Sequence, residues 1–308
     1  MLDLAVIIVS WNVRDYLADC LRSVYAELER SGLRAEVWVV DNASTDGTQA
    51  LLADLFPRTH VLANADNPGF GAANNQGMWA AASQNGYGPR YYLLLNPDTL
   101  VRPGAIATLV EALEHNPTAG MAGARLVHRD GRFQHSAFAF PGLRQLLFDL
   151  FPLPGRLYES KWNGRYARSR FRDQQEPFEI DHPLGAAMLV RGDVAEATGG
   201  FDKTFHMYCE EIDWAWRIRR AGWCVLSVPS AEIVHYGGQS TRQMPAGMTL
   251  NLWRSRALLY RRHYGRLRFG LARRIALRGL RRKARRAADP ALREAYLEAA
   301  SAWRGEPA

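Results

Sequence analysis

The sequence predicts an α/β fold in which helices cover both faces of one mainly parallel sheet. Apolar runs rich in β-branched residues alternate with amphipathic stretches through residues 1–125. The runs are hydrophobic almost throughout, as expected of strands that are buried on both faces. Polar residues follow several of the runs directly. Because ligands bind beyond the carboxyl ends of the strands in such a sheet, these polar ends predict a binding site.

Four strands are predicted in this part of the chain. The run 4–10 is rich in Val and Ile, and the run 36–40 is Glu-Val-Trp-Val-Val. Residues 60–63 and 91–95 form two further runs, the second being Tyr-Tyr-Leu-Leu-Leu. β-Branched and aromatic residues in runs of this length favour strands over helices.

Four helices are predicted between and after these strands. Residues 15–30 place apolar side chains at spacings of three and four, which is typical of an amphipathic helix. Residues 45–55 follow Ser44, a good cap residue. Residues 71–84 are rich in small side chains, so this helix can pack close to its neighbours. Residues 103–116 begin with a proline, which the first turn of a helix tolerates.

The pattern weakens in the second half of the chain. Residues 127–178 are rich in Phe, Arg, Pro and Gly and show no clean period, which indicates an insertion or flexible loop region rather than a separate domain. Regular signals return at 185–190 and continue to about residue 235. We therefore expect one domain over residues 1–250, followed by a basic helical extension over 251–308.

Most of the excess positive charge lies in that extension. The chain of 308 residues has a formal net charge of +8, yet 13 arginines and Lys283 lie between residues 254 and 286 with no acidic residue among them. The rest of the chain has 25 basic against 31 acidic side chains. Such a run is typical of a solvated surface or of a surface for an anionic partner. Leu267, Leu271 and Ile275 recur at helical spacing in it, which favours peripheral attachment to an anionic membrane.

Composition excludes several classes of protein. With 47% apolar and 23% charged residues, the chain is not a disordered, collagenous or disulfide-scaffold protein. No run of about 18 apolar residues is present, and the N-terminus lacks a signal-peptide pattern. Three cysteines without metal-ligand spacing, Cys20, Cys209 and Cys224, favour a reducing compartment. We therefore expect a cytoplasmic protein.

Three polar turns at strand ends are candidates for ligand binding. Asp41 ends the second strand, where its carboxylate can accept hydrogen bonds from a base or a ribose. The glycines of 67–77 let a ligand approach the backbone, but they match neither the P-loop nor the dinucleotide-binding fingerprint. Asn96 and Asp98 follow the fourth strand, and their oxygens suit a hard divalent cation. Helix capping, close packing and an ordinary turn are the alternative explanations of these segments.

Acidic residues at the start of a later helix are candidates for catalysis. Glu210, Glu211 and Asp213 stand where acids are favourable to the helix dipole in any case. One of them can also act as a general base near an acceptor hydroxyl. His235 follows a predicted strand, and imidazole is a good ligand for a catalytic metal, although a lone histidine is more often structural.

The order and spacing of these segments together resemble glycosyltransferase family 2, and most of all its rhamnosyltransferase branch. The resemblance covers roughly residues 3–245 and depends on segments that are, in chain order, Val-Ser-Trp-Asn, Val-Val-Asp-Asn-Ala-Ser-Thr-Asp-Gly-Thr, Asn-Pro-Gly-Phe-Gly-Ala-Ala-Asn-Asn-Gln-Gly, Leu-Asn-Pro-Asp, Gly-Gly-Phe-Asp with Glu-Glu-Ile-Asp-Trp-Ala-Trp-Arg, and His-Tyr-Gly-Gly-Gln-Ser. It implies a GT-A fold, with residues 1–125 as the nucleotide-sugar half and 126–250 as the acceptor half. It also implies an inverting transfer that depends on Mg²⁺ or Mn²⁺.

The resemblance also assigns residues to the donor site. Asp41 would contact the base or the ribose of the donor. The other donor-binding positions would be Ser10, Asn12, Asn67, Asn74 and Asn96. Asp98 would bind the metal, with His235 as the second protein ligand. The family often has Asp at the position of Asn96, so the amide here implies weaker metal affinity.

The same resemblance makes Glu211 the base that takes the proton from the acceptor hydroxyl. The family often has Asp at this position, and the longer side chain shifts the reach of the carboxylate. Glu210 and Asp213 therefore remain rival bases.

The implied reaction moves a sugar from a nucleoside diphosphate donor to a glycan or polyprenyl-linked acceptor in cell-surface polysaccharide synthesis. The branch favours dTDP-rhamnose as the donor, and UDP-sugars come next. The expected place is the cytoplasm, with peripheral attachment to the inner face of the cytoplasmic membrane. Two other classes stay open: a nucleic-acid-binding protein, which the acidic body disfavours, and an inactive sugar-nucleotide-binding module. Retention of Asp98, Glu211 and His235 argues against inactivity.

Overall fold

The computed structural model describes residues 2–84, 86, 88–152, 154–172, 175–239 and 243–305. Its strands are β1 (Leu4–Ser10), β2 (Ala35–Asn42), β3 (His60–Asn64), β4 (Tyr91–Leu95), β5 (Thr99–Val101), β6 (Ala119–Val127), β7 (Phe133–Gln134), β8 (Ala137–Phe138), β9 (Phe178–Ile180), β10 (His182–Pro183), β11 (Ala187–Arg191) and β12 (Cys224–His235). Its helices are α1 (Arg14–Ser31), α2 (Thr48–Leu55), α3 (Phe70–Gln84), α4 (Ala105–Glu114), α5 (Leu143–Leu150), α6 (Gly155–Tyr158), α7 (Ser169–Arg172), α8 (Gly192–Thr198), α9 (Glu210–Arg220), α10 (Pro245–His263), α11 (Arg266–Arg286) and α12 (Pro290–Arg304). A short 3-10 helix spans Lys161–Asn163.

One large sheet organises the molecule, with its main strands in the order β3-β2-β1-β4-β11-β6-β12-β5. The four strands β3, β2, β1 and β4 pair in parallel, and so do β6 and β12. β11 runs antiparallel between β4 and β6, and β5 runs antiparallel to β12. The predicted α/β fold with a mainly parallel sheet is therefore confirmed. In the register of β1 and β2, Ser10 lies beside Asp41, so the polar ends of these strands meet at one edge.

Helices cover both faces of this sheet and enclose an apolar layer on each. α1 and α4 contribute Leu17 and Ile106 to one layer, and α3 and α9 contribute Met78 and Trp214 to the other. The small residues of α3 permit a close approach to the sheet. A Cβ atom at Gly77 would lie 2.6 Å from a methyl group of β1, which is closer than such atoms approach each other.

The C-terminal extension forms packed helices rather than a loose tail. Helices α10, α11 and α12 pack with α5 around an apolar core of their own, which includes Trp253, Tyr260, Leu280 and Trp303. We call these four helices the C-terminal bundle. Because α5 lies within residues 127–178, part of that segment is a helix of the bundle. The prediction of an insertion or loop region is therefore wrong for this part. With eight residues, α5 is too short to show a clear helical period in the sequence.

Within the part of the chain that the structure describes, no helix combines the length and the apolarity needed to cross a membrane.

Candidate active site

A cleft opens at the carboxyl ends of β1, β2 and β4, which is the edge where the sequence predicts a site. Asn67, Asn96 and Asp98, three of the predicted residues, line it directly. The other residues of its wall are Val9, Trp11, Asn42, Phe70, Pro97, Met207, Gly238 and Gln239.

A chain of amide side chains builds one wall of the cleft. Asn64 Nδ2 donates to Asn42 Oδ1 at 2.9 Å, and Asn42 Nδ2 donates to Asn67 Oδ1 at 3.1 Å. The same Asn67 oxygen accepts the backbone N–H of Gly69 at 3.0 Å. These bonds fix the amide orientations, so the wall presents polar groups to a ligand in fixed positions.

Ser10 and Asp41 lie side by side at the ends of β1 and β2 and are fully buried, and neither is among the residues that line the cleft. Gln49 Nε2 donates to Asp41 Oδ2 at 2.9 Å. Within residues 2–305, apart from those the structure leaves undescribed, Asp41 Oδ1 and Ser10 Oγ have no hydrogen-bond partner. Buried polar atoms are almost always paired, so the two unpaired oxygens leave hydrogen-bonding capacity at the ends of these strands.

Two further predicted donor residues, Asn12 and Asn74, lie outside the lining of the cleft, as Ser10 and Asp41 do. Asn12 Oδ1 accepts the backbone N–H of Thr45 at 2.8 Å, and the N–H of Asn12 donates to Ser44 Oγ at 2.9 Å. Asn12 thereby ties the end of β1 to the turn after β2. Asn74 is buried in α3, and its Nδ2 donates to the Phe70 carbonyl at 2.9 Å. Both residues therefore support the walls from behind.

Asn96, Asp98 and His235 converge at the opposite side of the cleft. The pairing of β5 with β12 sets Thr99 opposite His235, which brings the imidazole to the carboxylate. His235 Nε2 lies 3.4 Å from Asp98 Oδ1 and 3.4 Å from Asn96 Nδ2. Burial by itself would raise the pKa of Asp98, but the hydrogen bond and charge of His235 and a backbone N–H outweigh it and lower the pKa. The carboxylate is therefore ionised.

These side chains fit a hard divalent cation. Carboxylate and amide oxygens suit Mg²⁺ and Mn²⁺, and Mn²⁺ also accepts an imidazole nitrogen. Among the described residues, no group of three or more His, Cys, Asp or Glu side chains is arranged to hold a metal ion. The pair of Asp98 and His235 would thus leave most of the coordination sphere to phosphate oxygens, which is usual for a metal that binds together with a nucleotide.

Helix α9 begins in a strained turn that presents two glutamates. Tyr208 and Cys209 both have positive φ, 69° and 67°, a conformation that is costly for residues other than glycine. Glu210 follows and is buried at 4% exposure. The Cβ of Glu210 lies 3.5 Å from the place that a Cβ would take at Gly71. The start of α9 therefore packs against residues 67–71, which we call the glycine turn of the cleft. Strain of this kind persists where the surroundings hold a functional geometry.

Burial gives the two glutamates unusual proton affinities. It raises the pKa of Glu211 to about 7, and the backbone N–H groups of the helix start and the charge of Arg256 oppose this only in part. Burial, with the charge of Glu211, raises the pKa of Glu210 well above its usual range. Burial therefore favours the neutral form of both carboxyl groups, and the pKa of Glu211, at about 7, is near the pH at which a general base works best. Gly185 leaves space beside the Glu211 side chain, whose Cγ would lie 3.6 Å from a Cβ there.

Asp213 lies in a different environment, although it is only two residues further along α9. It is fully buried and bonded to His263 Nε2 at 2.8 Å, Arg217 Nε at 2.8 Å and Arg262 Nη1 at 3.2 Å. Burial by itself would raise its pKa, but the hydrogen bonds from His263 and Arg217 and the charges of Arg217 and Arg262 outweigh it and lower the pKa to about 2. The structure therefore places this rival base in an ion cluster that fastens α10 to α9.

The turn before α9 is bonded to the glycine turn of the cleft. The N–H of Phe70 donates to the His206 carbonyl at 3.1 Å. A Cβ at Gly69 would lie 2.1 Å from that oxygen, so only glycine fits there. Asn75 bonds both backbone groups of Phe201, accepting from its N–H at 2.9 Å and donating to its carbonyl at 2.7 Å. The two segments thus form one unit across the cleft.

Comparison with known proteins identifies the family. The model of the family described as Glycosyl transferase family 2 matches residues 5–185. The chain is 30% identical over 253 residues to the N-acetylglucosaminyl-diphospho-decaprenol L-rhamnosyltransferase of Mycobacterium tuberculosis, and the match covers 79% of each protein. The chain belongs to glycosyltransferase family 2.

Two further similarities refine this assignment. The glycosyltransferase is 25% identical over 242 residues to Rhamnosyltransferase WbbL of Escherichia coli, with 77% of this chain and 84% of that protein covered. Its fold is similar to that of mannosyltransferase PcManGT from Pyrobaculum calidifontis, solved with GDP-Man and Mn²⁺, at a TM-score of 0.57 and 17% identity over 96% of this chain and 85% of that one. The predicted GT-A fold and rhamnosyltransferase branch are therefore confirmed.

Several cleft residues of this glycosyltransferase are absent from the sequence-based predictions. Trp11, Asn42 and Phe70 stand next to predicted residues within the motifs, and their positions just after a strand or at a helix start are a usable signal. Gln239 belongs to the segment His-Tyr-Gly-Gly-Gln-Ser, whereas Met207 comes from a loop whose path no pattern in the sequence indicates.

Proposed function

We propose that this glycosyltransferase transfers rhamnose from dTDP-rhamnose to a saccharide carried on a polyprenyl diphosphate, in cell-surface polysaccharide synthesis. The observation that carries the proposal is geometric: a cleft lined by Asn96 and Asp98, with His235 Nε2 at 3.4 Å from the Asp98 carboxylate, is bonded through Phe70 and His206 to the segment that leads into α9 and Glu211. Similarity to two rhamnosyltransferases supports the sugar, and the name of the mycobacterial relative supports the acceptor.

In the proposed reaction Glu211 takes the proton of the acceptor hydroxyl. The acceptor oxygen attacks the anomeric carbon, and the bond from that carbon to the diphosphate breaks on the opposite side, so the configuration inverts. Ser10 and Asp41, with their unpaired buried oxygens, would bind the nucleoside. Asp98 and His235, with Asn96 beside them, would hold Mg²⁺ or Mn²⁺. That ion, when bound, supplies charge compensation for the leaving diphosphate.

A transfer assay tests this function. The purified chain is incubated with Mn²⁺ or Mg²⁺, a short-chain polyprenyl diphosphate N-acetylglucosamine, and either dTDP-rhamnose or a panel of UDP-sugars. We expect rhamnose to be transferred and the product to have the anomeric configuration opposite to that of the donor. Transfer from a UDP-sugar alone would replace the donor in the proposal, and retention of configuration would contradict the mechanism.

The metal site has its own test. In Asp98→Asn we expect calorimetric binding of dTDP to lose its dependence on Mn²⁺, because the ionised carboxylate is the only charged oxygen ligand in the cluster among the described residues. Gln49→Ala, which alters the nucleoside side through Asp41, is the matched control and should keep the metal dependence. Unchanged metal-dependent affinity in Asp98→Asn would contradict the assignment.

The proposed place of the reaction is the cytoplasmic face of the membrane. A nucleotide-sugar donor is water-soluble, whereas a polyprenyl-linked acceptor is confined to the bilayer. The enzyme must therefore work at the surface where the two meet. Its attachment there would be peripheral.

A further inference from the structure

The fold divides the basic run 254–286 into two sets of arginines with different surroundings. On α10, Arg254 is paired with Glu298 of α12, Arg256 with Asp149 of α5, and Arg262 with Asp213 of α9. These side chains join α10 to its neighbours, so their charge is already matched within the molecule. They are not free to attract an outside partner.

The arginines of α11 form the second set. Arg274, Arg278, Arg281 and Arg285 are exposed and recur every three or four residues, so they share one side of the helix. None of the four has an acidic partner among the described residues. Leu267 and Leu271 continue the same stripe toward the start of the helix.

The opposite side of α11 fixes which way this stripe points. Ala272, Ala276 and Leu280 are buried in the bundle core. Gly279 packs so close to α5 that a Cβ there would lie 2.5 Å from Leu150 Cβ. The helix cannot roll without opening that contact, so the stripe is held outward.

The outward stripe is also apolar at one end. Leu267 is 89% exposed and Leu271 is 50% exposed, which is unusual for leucine in a packed bundle. Leu271 continues into a groove between α11 and α5, lined by Leu147, Phe151, Ile275 and the arginines 274 and 278. Leucines next to unpaired arginines match the two layers of a bilayer surface, acyl chains below and phosphates above.

We propose that this stripe, Leu267, Leu271, Arg274, Arg278, Arg281 and Arg285, is a docking face for a bilayer that contains anionic lipid. We call it the α11 face. Its leucines insert at the level of the acyl chains while its arginines contact lipid phosphates. A nucleic acid would match the arginines but offers no apolar layer for Leu267. The proposal rests on the proposed function in one respect, because a lipid-linked acceptor requires an enzyme at the bilayer. The vesicle-binding test of the proposal does not involve catalysis.

Vesicle binding tests the α11 face with the full chain. Wild type should co-sediment with vesicles of phosphatidylcholine and phosphatidylglycerol, less so at high salt, and weakly with phosphatidylcholine alone. Each arginine near an anionic surface contributes roughly a fivefold factor in binding. Changing Arg274, Arg278, Arg281 and Arg285 to Gln together should therefore lower binding by about a hundredfold or more, and Leu267→Ser with Leu271→Ser should lower it by about tenfold.

Matched controls separate position from charge and hydrophobicity. Changing four arginines of the nucleotide half to Gln (Arg22, Arg30, Arg34 and Arg58) removes the same charge elsewhere and should change binding far less. Leu55→Ser removes a leucine of α2 that is 57% exposed, close to the 50% of Leu271. Equal losses in face and control variants, or equal binding to vesicles without anionic lipid, would overturn the proposal. So would tighter binding of single-stranded RNA than of vesicles, lost in the same arginine variant.

A parallel assay with a water-soluble acceptor analogue keeps the two proposals apart. The variants of the α11 face should retain transfer to that analogue and lose it for an acceptor embedded in vesicles. Wild type that transfers sugar but binds no vesicles would overturn the docking face and leave the proposed function intact. Wild type that binds anionic vesicles but transfers no sugar from any donor would overturn the function and leave the docking face intact.

Discussion

Glu211 and Asp213 are acids two residues apart on one helix, in opposite electrostatic environments. Glu211 is half-buried beside Glu210, and desolvation raises its pKa to about 7. Asp213 is surrounded by His263, Arg217 and Arg262, and its pKa is lowered to about 2. Residues two apart on a helix do not share a face, so the fold can treat them independently.

The neighbouring side chains and the access of solvent, rather than the residue type, determine the role of each acid. A carboxylate that is fully neutralised and ionised at every working pH is a poor acceptor of protons, but it makes a strong structural contact. A carboxylate without cationic hydrogen-bond donors that titrates near pH 7 is matched to proton transfer. Helix α9 thus connects the proposed chemistry on one side to the C-terminal bundle on the other.

Removal of the proposed base should have the largest effect. Glu211→Gln should lower kcat by about 1000-fold, within the range expected for loss of a general base, while the Kd for dTDP-rhamnose stays within about twofold since the donor site is elsewhere. Stopped assays and calorimetry measure the two quantities. Glu210→Gln is the matched control: because burial raises the pKa of Glu210 well above its usual range, the neutral amide replaces a group that favours its neutral form, and this variant should lose far less activity. A larger loss in Glu210→Gln would exchange the two roles.

Loss of the Asp213 carboxylate should lower the free energy of unfolding. Asp213→Asn removes the anion from a buried cluster of cationic donors and should cost about 3 kcal/mol in the free energy of unfolding, measured by urea denaturation. Glu211→Gln should cost nothing above pH 7, since there it removes a poorly solvated charge. Asp19→Asn, which breaks the exposed pair with Arg22, should stay within about 0.5 kcal/mol. Equal costs at the buried and the exposed site would contradict the anchoring role of Asp213.

A smaller effect should follow from loosening the turn that precedes the glutamates. Ser255 Oγ of α10 donates to the Met207 carbonyl at 2.7 Å, next to the strained Tyr208 and Cys209. Ser255→Ala should cost about 1 kcal/mol of stability and lower kcat by a few-fold with little change in donor affinity. Ser255→Thr, which keeps a hydroxyl, should restore much of kcat. A change in donor affinity alone would show that the bond supports the donor wall instead.

The sequence is sufficient to predict the sheet and much of the cleft, because both depend on local patterns of apolar and polar residues. The run of β1 and the turn at Asn96 and Asp98 are visible as apolar stretches that end in polar residues. The different environments of Glu211 and Asp213 are not visible in the sequence, because His263 and Arg262, which contact Asp213, lie about fifty residues away along the chain. Counting charge over 254–286 likewise cannot distinguish arginines that are paired in the bundle from those of the α11 face.

The pH dependence of kcat/KM tests the role of Glu211 most directly. Glu211 must be deprotonated to act as a base, so kcat/KM should fall about tenfold per pH unit below an apparent pKa near 7. The fold should persist through this window. The stabilising contribution of Asp213 is fully present above its unfolded pKa and is lost only as the pH falls through that value toward its folded pKa of about 2. In Glu211→Gln the residual activity should show no such acid limb. A flat profile from pH 5 to 8 in the wild type, or the same acid limb in Glu211→Gln, would contradict the assignment of Glu211 as the base.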